Sequence, residues 1–236
     1  MALPKMQHPV FDVIIPSNKK QIKIRQMLVK EEKILLMAKV SEDNLDIFNS
    51  IKQIVTNCIM SEDVDTDLLT IFDLEYIFIK IRAVSISNIS KVSYRDNEDE
   101  KMYEFEIDLN KIDLIYPDKV DSLIRAGSIG ISMKFPEAKL YSDKSFLSTV
   151  GEDLLYMMLT KSIDKIYSED VVYDTKDYKQ EDLNVFVDNL NIDTLDKMKN
   201  FLDSIPRLNY ELNYKNSFGN DRKIVLSTLD DFFTLG

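Results

Sequence analysis

The chain has 236 residues, of which 44% are hydrophobic and 30% are charged, so it is expected to fold around one sizeable core or two modest ones. Its formal net charge of −11 argues against broad nucleic-acid binding, because neutralising phosphates requires clustered lysine and arginine. The longest apolar runs are far shorter than the roughly 20 residues of a membrane span, so no membrane partner is predicted. A single cysteine excludes an internal disulfide, and without a secretory pattern at the N-terminus we expect the protein to act in a reducing cytoplasm.

The first predicted element is a β-hairpin between Phe11 and Leu28. An apolar run leads into a Pro-Ser-Asn turn, after which polar and apolar residues alternate. A helix follows from Leu28 to Val40, and its inner side is predicted to carry Ile34, Leu35 and Met37. The next helix is capped by Ser41 or Asp43, and its apolar stripe is formed by Ile47, Ile51, Ile54 and Cys58.

The most hydrophobic stretch runs from Asp65 to Ala83 and predicts one buried helix, because an element that is apolar nearly all round belongs in a core. Its second half, Tyr76 to Ile81, is rich in β-branched and aromatic residues and would also suit a strand. Asp73 lies within this apolar element. We expect it to pair with Lys80 or Arg82.

A second hairpin is predicted in the middle of the chain, with Val92–Tyr94 and 103–109 as its strands. The signals are weaker from Asn110 to Asp143, where only Ile129–Phe135 reads as a strand. Ser145 to Tyr167 is then predicted as the longest helix, with Leu155, Leu159, Ile163 and Ile166 on one face, although Gly151 weakens its first turns.

The C-terminal stretch from Glu181 to Leu226 predicts two short helices, a stop at Pro206 and a hairpin with its turn at 216–220. A final helical turn carries Phe232 and Phe233 and is expected to dock onto the protein or a neighbour. The predicted fold class is α+β, with a mainly helical core and several β-hairpins, including this helix-helix-hairpin. A boundary near Ser168 would divide residues 1–167 from 168–236, with a single domain as the alternative.

Catalytic signatures are scarce in the sequence. His8 has no visible base or nucleophile partner, and Cys58 falls on an apolar helix face, where a thiol is inert. Neither a phosphate-binding loop nor a calcium loop is present, so we predict no cofactor, no metal and no enzymatic activity. The remaining enzymatic alternative is a hydrolase that uses paired carboxylates.

Several segments together resemble the T4-type baseplate hub subunit family of contractile-tailed phages. They read LPKMQHPVFDVIIPSNKKQIKIRQMLVKEEKILLMA, FDLEYIFIKIRAVSI, SIDKIYSEDVVYDTKDY and NVFVDNLNIDTLDKMKNFLDSIPRLNYELNYKN. The similarity covers most of the chain in order and weakens between about Asn110 and Asp143. The resemblance implies a morphogenesis protein that assembles the central hub of the baseplate and contacts other hub and tail proteins. It supplies no catalytic residues.

The residues expected to bind those partners are in the first and last hairpins and in the terminal helical turn. They are Lys19, Lys20, Lys23, Arg25, Tyr210, Tyr214, Phe232 and Phe233. Association with further copies of the same chain is another expectation. The protein would work in the host cytoplasm during assembly, and the sequence leaves open whether it stays in the virion or departs as a transient assembly chaperone.

Overall fold

The computed structural model describes residues 6–40, 43–117 and 121–232. Its contacts divide the chain into two compact units: unit 1 joins the residues up to Ile115 with those from Arg207 onward, and unit 2 is Tyr116–Pro206. The boundary predicted near Ser168 therefore falls inside unit 2, in the turn between two paired strands. The α+β class is confirmed, since helices alternate with short antiparallel strands in four small sheets across the described residues.

Unit 1 begins with the predicted hairpin, β1 (Val10–Ile14) and β2 (Gln21–Arg25), followed by α1 (Val29–Val40) and α2 (Asn44–Cys58). Asp43, one of the two residues predicted to cap α2, accepts a hydrogen bond from the backbone N–H of Leu45. The prediction that Met37 lies on the inner side of α1 is wrong, because Met37 is 75% exposed. Ala38 is buried instead.

The buried helix α3 (Ile71–Ser85) confirms the prediction of a helix and excludes the strand alternative for 76–81. It starts later than predicted because Thr70 caps it. The Thr70 hydroxyl accepts from the Asp73 N–H, while Asp73 accepts from the Thr70 N–H at 3.1 Å and from its hydroxyl at 2.7 Å. The second Asp73 oxygen accepts from the Ser17 N–H at 2.9 Å. The predicted pairing of Asp73 with Lys80 or Arg82 is therefore wrong.

The rest of unit 1 consists of three antiparallel pairings and a terminal turn. The hairpin of β3 (Ile89–Arg95) and β4 (Met102–Asp108) is confirmed, and β5 (Asp113–Ile115) pairs with β10 (Arg207–Lys215), which also pairs with β11 (Asp221–Leu226). The helical turn α8 (Leu229–Phe232) contacts β3. Unit 1 is therefore held together by pairing between segments that are far apart in the sequence.

Unit 2 contains a four-stranded antiparallel sheet in the order β6-β7-β8-β9, formed by β6 (Leu123–Ala126), β7 (Ile129–Met133), β8 (Ile163–Ser168) and β9 (Val171–Asp174). Its helices are α4 (Lys144–Ser148), α5 (Glu152–Lys161), α6 (Gln180–Asp188) and α7 (Ile192–Asp203). One hydrophobic core joins the sheet to α5, α6 and α7, and it includes Ile131, Leu159, Ile166, Val187 and Met198.

The single helix predicted from Ser145 to Tyr167 is wrong. It is two helices and a strand, interrupted at Gly151, whose φ of +67° lies in a region that side chains avoid. Ile163 and Ile166 have helical spacing relative to Leu155 and Leu159, but they lie on β8, where pairing with β7 buries both. The two later helices are confirmed, and Asn191 caps α7 with a 2.8 Å hydrogen bond from the Thr194 N–H.

Candidate partner-binding surfaces

The N-terminal hairpin of unit 1 is secured along one edge and open along the other. Beyond β2, Ile24 bridges Ile59, and the Met60 N–H donates to the Lys23 carbonyl at 2.8 Å. No described strand pairs with the outer edge of β1, where Val10 and Ile14 are about half exposed. Such an edge offers unpaired backbone groups to an incoming strand.

The predicted basic residues of this hairpin have different environments. Lys19 and Lys23 are exposed, and Lys19 adopts a left-handed turn conformation with φ +59°. Lys20 contacts the unit itself, because its ammonium group lies 2.5 Å from an Asp63 carboxylate oxygen. The exposed basic surface of the hairpin is therefore formed by Lys19 and Lys23.

Arg25 is buried and joins three elements of unit 1. Its guanidinium donates to Glu31 at 3.0 and 3.3 Å, to the Asn57 carbonyl at 2.7 Å and to the Gln26 carbonyl at 2.9 Å. Burial opposes ionisation of Glu31, but the hydrogen bonds from Arg25 and the Leu28 N–H outweigh it and hold the pKa of Glu31 below its usual range. Arg25 is thus an internal residue that the sequence alternation does not reveal.

Cys58 lies beside this ion pair, with its sulfur 3.6 Å from an Arg25 nitrogen. The side chain is fully buried, and burial raises the pKa of the thiol to about 11. A protonated, inaccessible thiol is a poor nucleophile, which agrees with its predicted place on the core stripe.

The tips of two hairpins of unit 1 form a dense polar network, which we call the clasp: residues Asp96–Glu100 of the β3–β4 turn and Tyr214–Arg222 around the β10–β11 turn. Asp96 is fully buried and accepts from the Tyr214 hydroxyl and, at 2.9 Å, from Arg222. Two asparagines, Asn216 and Asn220, each donate to Glu98 at 2.6 Å. The clasp connects segments that are more than a hundred residues apart.

A second carboxylate fixes the other side of the clasp. Asp99 accepts from the Tyr103 hydroxyl at 2.6 Å and from the Ser217 N–H and hydroxyl at 2.8 and 2.7 Å. Burial opposes ionisation of Asp96 and Asp99, yet the donated hydrogen bonds hold the pKa of both well below the usual range. Burial and the bond to Asp96 raise the pKa of the Tyr214 phenol to about 12.

The clasp thus places the two predicted tyrosines differently. Tyr214 is committed to Asp96, and its ring lies 4.9 Å from that of Tyr103. Tyr210 is partly exposed on β10. Phe218 lies at the tip of the β10–β11 turn and is 67% exposed. It is not among the residues that the sequence predicted to bind partners. An exposed aromatic next to a glycine turn was the available signal.

The terminal helical turn docks onto unit 1. Phe232 is fully buried, and its carbonyl accepts a 3.1 Å hydrogen bond from the Ser90 hydroxyl. Asp231 caps the turn by accepting from the Thr228 N–H at 2.9 Å. Phe233 lies outside the described residues. Phe232 therefore stabilises the unit and is not displayed at its surface.

Unit 2 carries a cleft of about 530 Å³ beside the start of α6. Its lining includes Leu140, Ile163, Tyr178 and Leu183, together with the charged residues Lys134, Lys139, Lys161, Lys176, Glu137 and Asp143. Lys134 and Lys139 lie 2.9 and 2.5 Å from the two oxygens of Glu137. The lining thus carries four lysines and two carboxylates, and two of the lysines share Glu137.

A family model described as T4 bacteriophage base plate protein matches residues 6–234. The chain belongs to this baseplate family. The match spans nearly the whole sequence, including both units, and it confirms the family resemblance at the level of the baseplate. No curated protein and no solved structure matches the chain.

Membership assigns this baseplate protein a structural role in the phage baseplate, among other baseplate proteins of the virion. Within the described residues, no three histidine, cysteine, aspartate or glutamate side chains are grouped to hold a metal ion. No helix in the described part of the chain is long and apolar enough to cross a membrane. The surfaces described above are its candidate functional features.

Proposed function

We propose that this baseplate protein acts without catalysis in assembly of the hub of a contractile tail, by binding other hub and tail proteins through the N-terminal hairpin. The observation that carries the proposal is the open outer edge of β1. Its half-exposed Val10 and Ile14 lie near the exposed Lys19 and Lys23, while the opposite edge of the hairpin is fixed to 59–63.

This arrangement suits strand addition. A partner strand would gain main-chain hydrogen bonds along β1, and the alternating side chains would give specificity. The lysines would steer an acidic partner and suppress basic ones, since charges at the rim of an interface act mainly on association rate and specificity. The hairpin is anchored by Arg25 and Lys20, so little ordering cost would accompany binding.

The test is pairwise co-purification with individual hub and tail proteins of the same phage. Lys19→Glu with Lys23→Glu reverses the exposed charges, and Ile14→Lys places a charge on the exposed face of β1. Lys20 and Arg25 are left unchanged because they hold the fold. Lys91→Glu with Lys111→Glu is the matched control, since both lysines are exposed in the same unit and the charge change is equal.

We expect the hairpin variants to lose the hub partner while the control retains it. Equal retention by all variants at low and physiological salt would refute the hairpin as the binding surface. Mass spectrometry of purified virions then separates the two roles. A hub component is present in finished particles in stoichiometric amounts, whereas an assembly chaperone is absent.

A further inference from the structure

The chain leaves unit 1 and returns to it at one end of a β-ladder. Ile115 is the last residue of β5 and Arg207 is the first of β10, and the two are direct partners across the ladder. Residues paired in this way have Cα atoms about 4.5–5.5 Å apart. Residues 116–206, which form unit 2, therefore occupy the position that a short turn has in an ordinary β-hairpin.

Unit 1 secures this ladder with its own residues. Leu114 and Leu208 are partners across it, and both are buried. The Lys80 ammonium group of α3 donates to the Asn110 and Ile112 carbonyls at 3.3 and 3.0 Å, which fixes the chain just before β5. On its other side β10 pairs with β11. The end of unit 1 from which the chain departs is thus fixed by contacts within unit 1.

A proline marks each of the two junctions. Pro117 follows β5 after one residue, and Pro206 directly precedes β10. Proline has no backbone N–H to donate to a strand ladder, so it is found at the ends and edges of sheets. The pairing of β5 with β10 accordingly stops where unit 2 begins and ends, and the strands of unit 2 belong to a different sheet.

Unit 2 has a sheet and a core of its own. Among the described residues its four strands pair with one another, in the order β6-β7-β8-β9. Its core includes the fully buried Ile131, Leu159 and Met198, and Ile205 packs against that core just before the chain returns to unit 1. The unit is longer than the roughly 55–65 residues with which many domains fold alone. It therefore contains what a separate fold requires.

We infer that unit 2 is an autonomous module, which opens and closes as one cooperative unit while unit 1 stays folded. Cooperative units within one chain open with free energies of their own. The adjacent junctions make such an insert tolerable, because the entropy cost of closing a loop grows only slowly with its length. A partner bound to unit 2 would stabilise that unit and leave the stability of unit 1 unchanged.

The test is hydrogen exchange of the full chain, followed by mass spectrometry at urea concentrations below the unfolding transition. Ile77→Val truncates a fully buried side chain on α3 of unit 1, and Ile131→Val makes the same change at a fully buried position on β7 of unit 2. The two variants are thus matched in chemistry and burial. We expect each to lower amide protection about two- to tenfold in its own unit and to leave the other unit unchanged.

A stronger variant opens unit 2 completely. Ile131→Asp places a charge in its core, so the strands β6 to β9 should exchange together while α3 remains protected. Two outcomes would overturn the inference: a valine variant that lowers protection equally in both units, or an Ile131→Asp chain in which α3 exchanges as freely as β7. The assay contains no hub protein, so either result leaves the proposed hub role untouched.

Discussion

Replacing Glu31 with alanine should strongly destabilise unit 1. The carboxylate accepts from Arg25 at 3.0 and 3.3 Å and from the Leu28 N–H at 2.9 Å, and its side chain is fully buried. Without it, the Arg25 guanidinium stays in the interior with its charge uncompensated. Removing one partner of a buried ion pair costs about 3–5 kcal/mol, so we expect a loss of that size in the free energy of unfolding.

The only cysteine of the chain provides the assay. Cys58 is buried 3.6 Å from Arg25, so a thiol reagent reaches it only when this part of unit 1 opens. A loss of about 3 kcal/mol should accelerate labelling by roughly a hundredfold or more, because 1.4 kcal/mol is a factor of ten. The labelling rate of Cys58 in each unfolded variant is measured separately and used to correct for any change in the pKa of the thiol.

Two comparisons make this prediction refutable. Lys30→Ala removes an exposed ammonium 3.4 Å from the same carboxylate and should cost less than about 1 kcal/mol. The double change Arg25→Met with Glu31→Leu removes both charges and should recover most of the loss. If Glu31→Ala accelerates labelling less than tenfold, or no more than Lys30→Ala does, the ion pair does not hold these elements together.

Three further predictions concern the clasp, unit 2 and the terminal turn. The pKa of Asp96 is lower in the folded state than in the unfolded state, so the clasp contributes stability above about pH 4 that is lost on further acidification; the free energy of unfolding, measured in urea between pH 6 and 3, should fall below about pH 4, and a value that stays constant would contradict this. Gly151→Ala should cost about 1–2 kcal/mol in urea unfolding through its φ of +67°, whereas Gly130→Ala, whose Cβ would meet ordinary 3.5 Å contacts, should cost less; equal costs would argue against backbone strain. Phe232→Ala should cost about 3–5 kcal/mol because the ring is fully buried, and a small cost like that of an exposed site would show that the turn is not docked.

Local patterns predicted most of the elements correctly. The hairpins at 10–25 and 207–226 have two-residue alternation and turn residues, and α2 and α7 have helical stripes with their capping residues. The helix cap at Thr70 was readable as well, since a threonine followed three residues later by an acid is a capping signature. That signature would have identified Thr70 as the partner of Asp73.

Contacts between distant segments account for what the sequence did not reveal. Ile163 and Ile166 fit a helix by spacing, and only their pairing with β7 makes them a strand. The clasp joins residues near 96 to residues near 214, so neither loop alone indicates that Asp96 is buried. Arg25 follows the alternation of a surface position, but the end of α2 and Glu31 cover it.

The division of unit 1 between the two ends of the chain has a consequence for synthesis. Strand β5 emerges from the ribosome with no partner, and β10 arrives only after residues 116–206 have been translated, which takes several seconds at about 5–20 residues per second. Unit 2 is continuous and is available to fold in that interval. The clasp and the burial of Phe232 require residues 214–232 and therefore form last. A chain cut short by premature termination would lack both. Unit 1 is thus completed only after translation has passed residue 232.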